Sequence, residues 1–60
     1  MTDTVKEQIF KVRDTGKSNM FDVREVHRIA YDMGLFELVV FLEENLVEYV
    51  SFILTGEKNV

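Results

Sequence analysis

The 60-residue sequence predicts an all-α fold, a small three-helix domain in which two short helices pack on one long C-terminal helix. Three observations lead there. No proline interrupts the chain anywhere. Gly16 and Gly34 each close a segment whose apolar residues recur at helical spacing. From Leu35 onward, Leu35, Val39, Leu42, Leu46, Tyr49 and Ile53 keep an alternating four-three spacing without a miss.

The first helix is expected to start at Thr4, because a threonine followed three residues later by Glu7 is a capping-box pattern. Val5, Ile9 and Val12 then share one face, and Gly16 after Thr15 is a ready left-handed terminator. Residues 17–20 form a connector. Asp22 with Glu25 repeats the capping pattern for a second helix, and Phe21 ahead of the cap is placed to staple onto Val26. Its buried stripe is Val23, Val26, Ile29, Ala30 and Met33, with His27 and Tyr31 beside it, and Gly34 closes it.

The third segment, residues 35–55, is predicted as one long helix. Asn45, with Glu48 three residues on, offers the alternative of a break and a separate fourth helix. A strand over residues 38–42 is a second alternative from the Val-Val-Phe composition, but both flanks keep the helical period. Beside the main seam, Phe36, Val40, Val47, Val50 and Leu54 make a second apolar stripe that Phe41 and Phe52 extend. A helix apolar over most of its girth has to be covered on two sides. The two short helices cover one. The other is expected to be a subunit interface formed by Phe36, Val40, Phe41, Val47, Val50 and Leu54, and a symmetric homodimer is the commonest arrangement.

Size supports the same expectation. A chain this short buries only about 60% of the surface its unfolded form exposes, and the usual staples are missing: there is no cysteine, which excludes disulfides and thiolate zinc, and a single histidine. No metal or other cofactor is implied. A composition 47% hydrophobic and 12% aromatic is nevertheless well clear of the disordered regime. No apolar run reaches the roughly 18 residues of a membrane span, and Met1-Thr2-Asp3-Thr4 lacks the basic-then-apolar order of a signal peptide, so a cytoplasmic location is expected.

Charge is unevenly spread. The net charge is −4, and residues 29–57 hold no lysine or arginine while carrying Asp32, Glu37, Glu43, Glu44, Glu48 and Glu57. Lys6, Lys11, Arg13, Lys17, Arg24 and Arg28 all precede that run. Binding by bulk attraction to phosphates is disfavoured, and the lysine-free acidic half is able to mimic nucleic acid or to dock on a basic surface, with Glu37, Glu44 and Glu48 as candidate partner contacts.

Motifs of chemistry are weak. Gly16-Lys17-Ser18 has the ending of a phosphate-binding loop, but Lys11 stands where the preceding glycine is required. His27 has no serine placed beside it by spacing, and adjacent Glu43 and Glu44 diverge by about 100° on a helix, which suits a solvated face better than a metal site. No enzyme is expected. Met20, Met33, Phe36 and Phe41 fit core positions better than a flexible binding groove. Residues 23–34 faintly echo the opening of a helix-turn-helix, but the following helix is apolar and acidic where a recognition helix is polar and basic.

Ser18-Asn19-Met20-Phe21-Asp22, then Ile29-Ala30, Met33-Gly34, Glu37-Leu38-Val39, and Tyr49 followed by Phe52-Ile53-Leu54-Thr55-Gly56 resemble a family of unknown function, short proteins of this length from phages and prophages of Gram-positive bacteria. The likeness runs from Ile9 to Gly56. It implies a mobile-element origin and a bacterial cytoplasm as workplace, and it transfers no catalytic residue. The expected function is therefore a small dimeric module that binds a host protein, one of an antiviral defence system, and inhibits or redirects it. A DNA-binding or packaging-associated regulator presenting Lys17, Arg24 and Arg28 is the alternative, and a virion assembly factor a third.

Overall fold

The structure, a computed structural model, describes residues 1–56; Glu57, the last carboxylate of the acidic run, lies outside the described residues. Every described element is an α-helix, and there are four rather than three: α1 (Asp3–Thr15), α2 (Val23–Asp32), α3 (Phe36–Glu44) and α4 (Leu46–Gly56). The expected arrangement of two short helices on one long rod is therefore wrong. The rod is divided at Asn45, and α4 turns away from the axis of α3.

Helix α1 begins two residues earlier than its capping box suggests. Thr2 is the cap, its hydroxyl accepting the Val5 N–H at 3.2 Å. Thr2 caps without the glutamate of a capping box, since Val5 stands three residues on, and the earlier start adds two residues ahead of Val5, which is buried. At the other end Gly16 takes φ 65° and donates its N–H to the Arg13 carbonyl. Helix α2 is capped by Asp22, whose carboxylate accepts the Glu25 N–H at 3.4 Å. It ends in a Schellman turn: Gly34, at φ 76°, donates to Tyr31 and Leu35 donates to Ala30 at 2.8 Å. That left-handed residue turns the chain so that Leu35 enters the core.

Leu35 has no side-chain oxygen with which to cap α3. The deficit is met from another part of the chain: the Gln8 Oε1 of α1 accepts the Leu38 N–H at 2.8 Å across 30 residues of sequence. One of the orphan donors of the α3 N-terminus is thus satisfied by tertiary structure, and α1 is locked in register against α3.

At Asn45 the backbone goes to φ −136°, ψ 46° while the hydrogen-bond ladder is held on both sides. Its N–H reaches the Phe41 carbonyl at 2.8 Å and its carbonyl accepts the Tyr49 N–H at 3.1 Å. The junction is a one-residue kink. Asparagine suits it, being a weak helix former that tolerates irregular backbone. The kink folds α4 back, and Tyr49 becomes the largest fully buried side chain. Its hydroxyl donates to the Met20 carbonyl at 2.7 Å, pinning the connector between α1 and α2 to α4. Met20, at the end of the connector, is buried as its expected core position requires.

The core comprises Val5, Ile9 and Val12 of α1, Met20, Val26, Ile29 and Ala30, then Leu35, Leu38, Val39, Phe41 and Leu42, and finally Tyr49 and Ile53. Two of the expected assignments change. Leu46, placed in the seam by the four-three spacing, is exposed, because the kink beside it rotates it outward. Met33, placed in the stripe of α2, is also exposed, since the helix has already ended there. At the periphery Phe52 packs a tilted ring on Phe10, 6.1 Å between centroids, and the Arg13 guanidinium lies 4.8 Å from the Phe10 ring. The Met1 amine meets Glu48 Oε2 at 2.9 Å, tying the start of the chain to the first turn of α4.

Two substitutions test these tertiary ties. Tyr49→Phe leaves the Met20 carbonyl without its buried donor and should cost about 1–2 kcal/mol, seen as a melting temperature lower by about 5–15 °C in a domain this small; an unchanged melting curve would remove the hydroxyl from the set of structural contacts. Gln8→Ala should speed hydrogen exchange at the Leu38 amide and lower stability by about 1 kcal/mol. Gln8→Glu keeps an acceptor at a helix N-terminus, where negative charge is favoured, and should restore both readouts.

Candidate interaction surface

With the seam buried inside one chain, the question is which of the remaining apolar side chains stay outside. Phe41 does not: it is in the core, because α1 packing on α3 widens the buried arc of that helix to include Leu38 and Phe41. It is unavailable to an interface between copies. Val50 is half-buried against the core. Phe36, Val40, Val47 and Leu54 are exposed, with Val47 the most open at 81%.

Apart from Phe21, which is exposed ahead of α2, the exposed apolar residues fall into two groups, one on each side of the kink. On α4, Leu46, Val47, Val50 and Leu54 occupy one arc at 100° per residue, and the next positions around the helix are Ser51 and Thr55. That stripe carries no charge. The second group lies on α3 and the end of α2. Phe36 and Val40, one turn apart, hold the middle of the exposed arc of α3. Tyr31 sets the edge of its ring against Phe36, 5.6 Å between centroids and 74° between planes. Tyr31 and Met33 were not among the expected interface residues. Their only sequence signal is position, Tyr31 lying off the stripe of α2 and Met33 beyond its last turn.

The acidic candidates are all exposed, in two different situations. Glu37 and Glu44 stand on α3 beside Val40 and make no ion pair among the described residues. Glu48 is engaged with the Met1 amine and lies across the kink from them. Between the two helices, His27 Nε2 meets Glu43 Oε2 at 2.9 Å. A carboxylate only accepts, so that nitrogen carries the hydrogen, and the contact clips α2 to α3.

On α2, Arg28 grips Glu25 in a bidentate contact at 2.6 Å and 3.4 Å and lies 3.7 Å from Asp32. The hydrogen bond from Arg28, reinforced by its charge, holds the Glu25 carboxyl below the ordinary carboxylate value, and the same hydrogen bond raises Arg28. Both stay ionised through the neutral range. The pair is fully solvated and adds little to stability, but it occupies a guanidinium that a phosphate-binding face would need free.

Groups that could do chemistry remain apart. Among the described residues no three His, Asp or Glu side chains gather where they could hold a metal ion, and no helix is long and apolar enough to cross a membrane. Gly16 terminates a helix, whereas the glycine of a phosphate-binding loop precedes one. Ser18, next but one along, has a buried hydroxyl without a hydrogen-bond partner among the described residues.

Compared with known proteins, residues 1–57 match the family described as Domain of unknown function (DUF5049). No curated protein and no solved structure matches the chain.

The Ser18 hydroxyl generates a prediction of its own. Burial without a partner is a cost, so Ser18→Ala should leave the melting temperature unchanged or raise stability by up to about 1 kcal/mol. A loss larger than that in thermal melts would mean that the hydroxyl is bonded in solution.

Proposed function

Because the chain belongs to the DUF5049 family, whose description assigns no activity, we propose its function from its own surface: it works by protein–protein interaction rather than by catalysis. It pairs with a second copy and binds a host protein whose activity it inhibits or redirects. One observation carries this reading. Among the described residues of this short chain, eight large apolar side chains remain between 44% and 81% exposed, and seven of them lie from Tyr31 to Leu54. Scattered single apolar residues on a surface need no explanation, but stripes of them on adjoining helices mark contact surfaces.

Self-association belongs to α4. Its exposed stripe of Leu46, Val47, Val50 and Leu54 has no charge on it, so two copies can meet across a twofold axis without opposing like charges. The origin and target follow from the resemblance of the Asn-Met-Phe-Asp and Phe-Ile-Leu-Thr-Gly blocks to phage and prophage proteins: a mobile-element product in a bacterial cytoplasm, acting on a component of antiviral defence. The DNA-binding alternative has less support, since Arg28 is committed to Glu25 and Asp32 and only Lys17 and Arg24 of its three cations are left.

Light scattering should give twice the 7.0 kDa chain mass at high concentration, and the double substitution Val47→Lys with Leu54→Lys should return a folded monomer of unchanged helical content. A dilution-proof monomer in the wild type would remove the dimer. Affinity capture from bacterial lysate should enrich a host protein that a Phe36→Asp, Val40→Asp variant loses, whereas identical backgrounds from both would remove the interaction reading. Retardation of duplex DNA that weakens steeply with salt would favour the alternative.

A further inference from the structure

We propose that the outer face of α3, extended by Tyr31, is a docking surface for a basic amphipathic segment of a partner protein, a stretch in which Lys or Arg flanks aromatic or aliphatic side chains. The proposal rests on the protein-binding reading above and gives the partner's chemistry.

It follows from the order of side chains around α3. At 100° per residue, Leu38, Val39, Phe41 and Leu42 fill the inward arc, and all four are buried. The outward arc runs Glu43, Phe36, Val40, Glu44, Glu37. An apolar ridge is therefore bordered by carboxylates on both flanks. Tyr31, edge-on to Phe36, lengthens the ridge onto the end of α2 and supplies a second aromatic anchor. Exposed aromatics at the centre of a patch are the side chains that most often carry binding energy.

The charges around the ridge select its occupant. Residues 29–56 contain no lysine or arginine, so nothing on α3 or α4 neutralises the flanks. Glu43 is satisfied by His27, and Asp32 has Arg28 at 3.7 Å. Glu37 and Glu44 have no ionic partner among the described residues. A neutral partner laid across Phe36 and Val40 would strip water from those two carboxylates and return nothing, which is costly. A second copy docked here about a twofold axis would bring acidic flanks together, whereas the charge-free stripe on α4 invites a copy without that penalty. A nucleic acid would meet negative charge along the whole face. A segment with cations spaced about an apolar strip satisfies both features at once.

The test uses the full chain, isotope-labelled, titrated with a synthetic amphipathic Leu/Lys peptide of roughly 14 residues, its Leu/Glu counterpart, and oligolysine of the same length. The Leu/Lys peptide should shift the amides of Tyr31, Phe36, Val40 and Glu44 in a saturable manner, and its affinity should fall as salt rises from about 50 to 300 mM. Phe36→Ala should weaken it about tenfold, and Tyr31→Ser, which removes the other anchor from an exposed site, should do so independently. Glu37→Gln with Glu44→Gln should abolish the salt dependence, and Asp14→Asn, at an exposed carboxylate of α1, should leave binding within about twofold. Oligolysine binding equally well, shifts confined to α4, or indifference to both aromatic substitutions would each overturn the assignment. If the peptide fails while dimerisation and host-protein capture persist, the basic-segment assignment falls and the interaction reading stands.

Discussion

The hydroxyl of Tyr49 bonded to the Met20 carbonyl is the contact on which the arrangement depends. A fully buried phenol has to find an acceptor, and the one it reaches lies 29 residues away in the connector between α1 and α2. To bring it there, the chain must abandon a straight helix at Asn45 and fold α4 back on the others. The break gives up the ladder bonds that would cross it from the first turn of α4, but Asn45 itself still donates to Phe41 and accepts from Tyr49. The Gln8 cap on Leu38 does the same for the start of α3, where Leu35 offers nothing of its own. Two side-chain to backbone bonds over long sequence separations thus fix four short helices that would be marginal alone.

These ties also determine what is left outside. A straight rod over residues 35–55 would have presented one broad apolar face to a second subunit; in the broken pair of helices Phe41 is buried and Val50 half-buried, while Phe36, Val40, Val47 and Leu54 stay outside. What remains is smaller and divided, a charge-free stripe on α4 and an acid-flanked ridge on α3. The two surfaces differ in electrostatics more than in hydrophobicity, and the proposal of different partners for them rests on that difference. An isologous interface opposes each charge with its own copy, so the uncharged stripe is the one on which the proposed self-association meets no like-charge penalty. The acidic ridge asks for opposite charge from elsewhere.

With no cysteine in the chain, no disulfide contributes to stability, and packing of the core carries it. The core draws on all four helices and on the connector residue Met20, while ion pairs lie at the rim, where water screens them. The surface that could add further burial is the surface proposed for binding, so folding and function draw on the same apolar residues.

The sequence by itself determined the helical class, the terminators Gly16 and Gly34, the Asp22 cap, and most of the seam: Leu35, Val39, Leu42, Tyr49 and Ile53 are buried as their spacing requires. These features are local, set by backbone freedom and by the 100° step of one helix. Only the tertiary structure decided that the chain kinks at Asn45, that Phe41 and Leu38 turn inward, that Leu46 and Met33 turn outward, and that Thr2 rather than Thr4 begins α1. The four-three spacing does not tell a straight helix from one broken at Asn45, because Tyr49 and Ile53 face inward as it requires and only Leu46, beside the break, changes side. Which of the two forms is therefore chosen by contacts far apart in the chain, above all the reach of Tyr49 to Met20 and of Gln8 to Leu38.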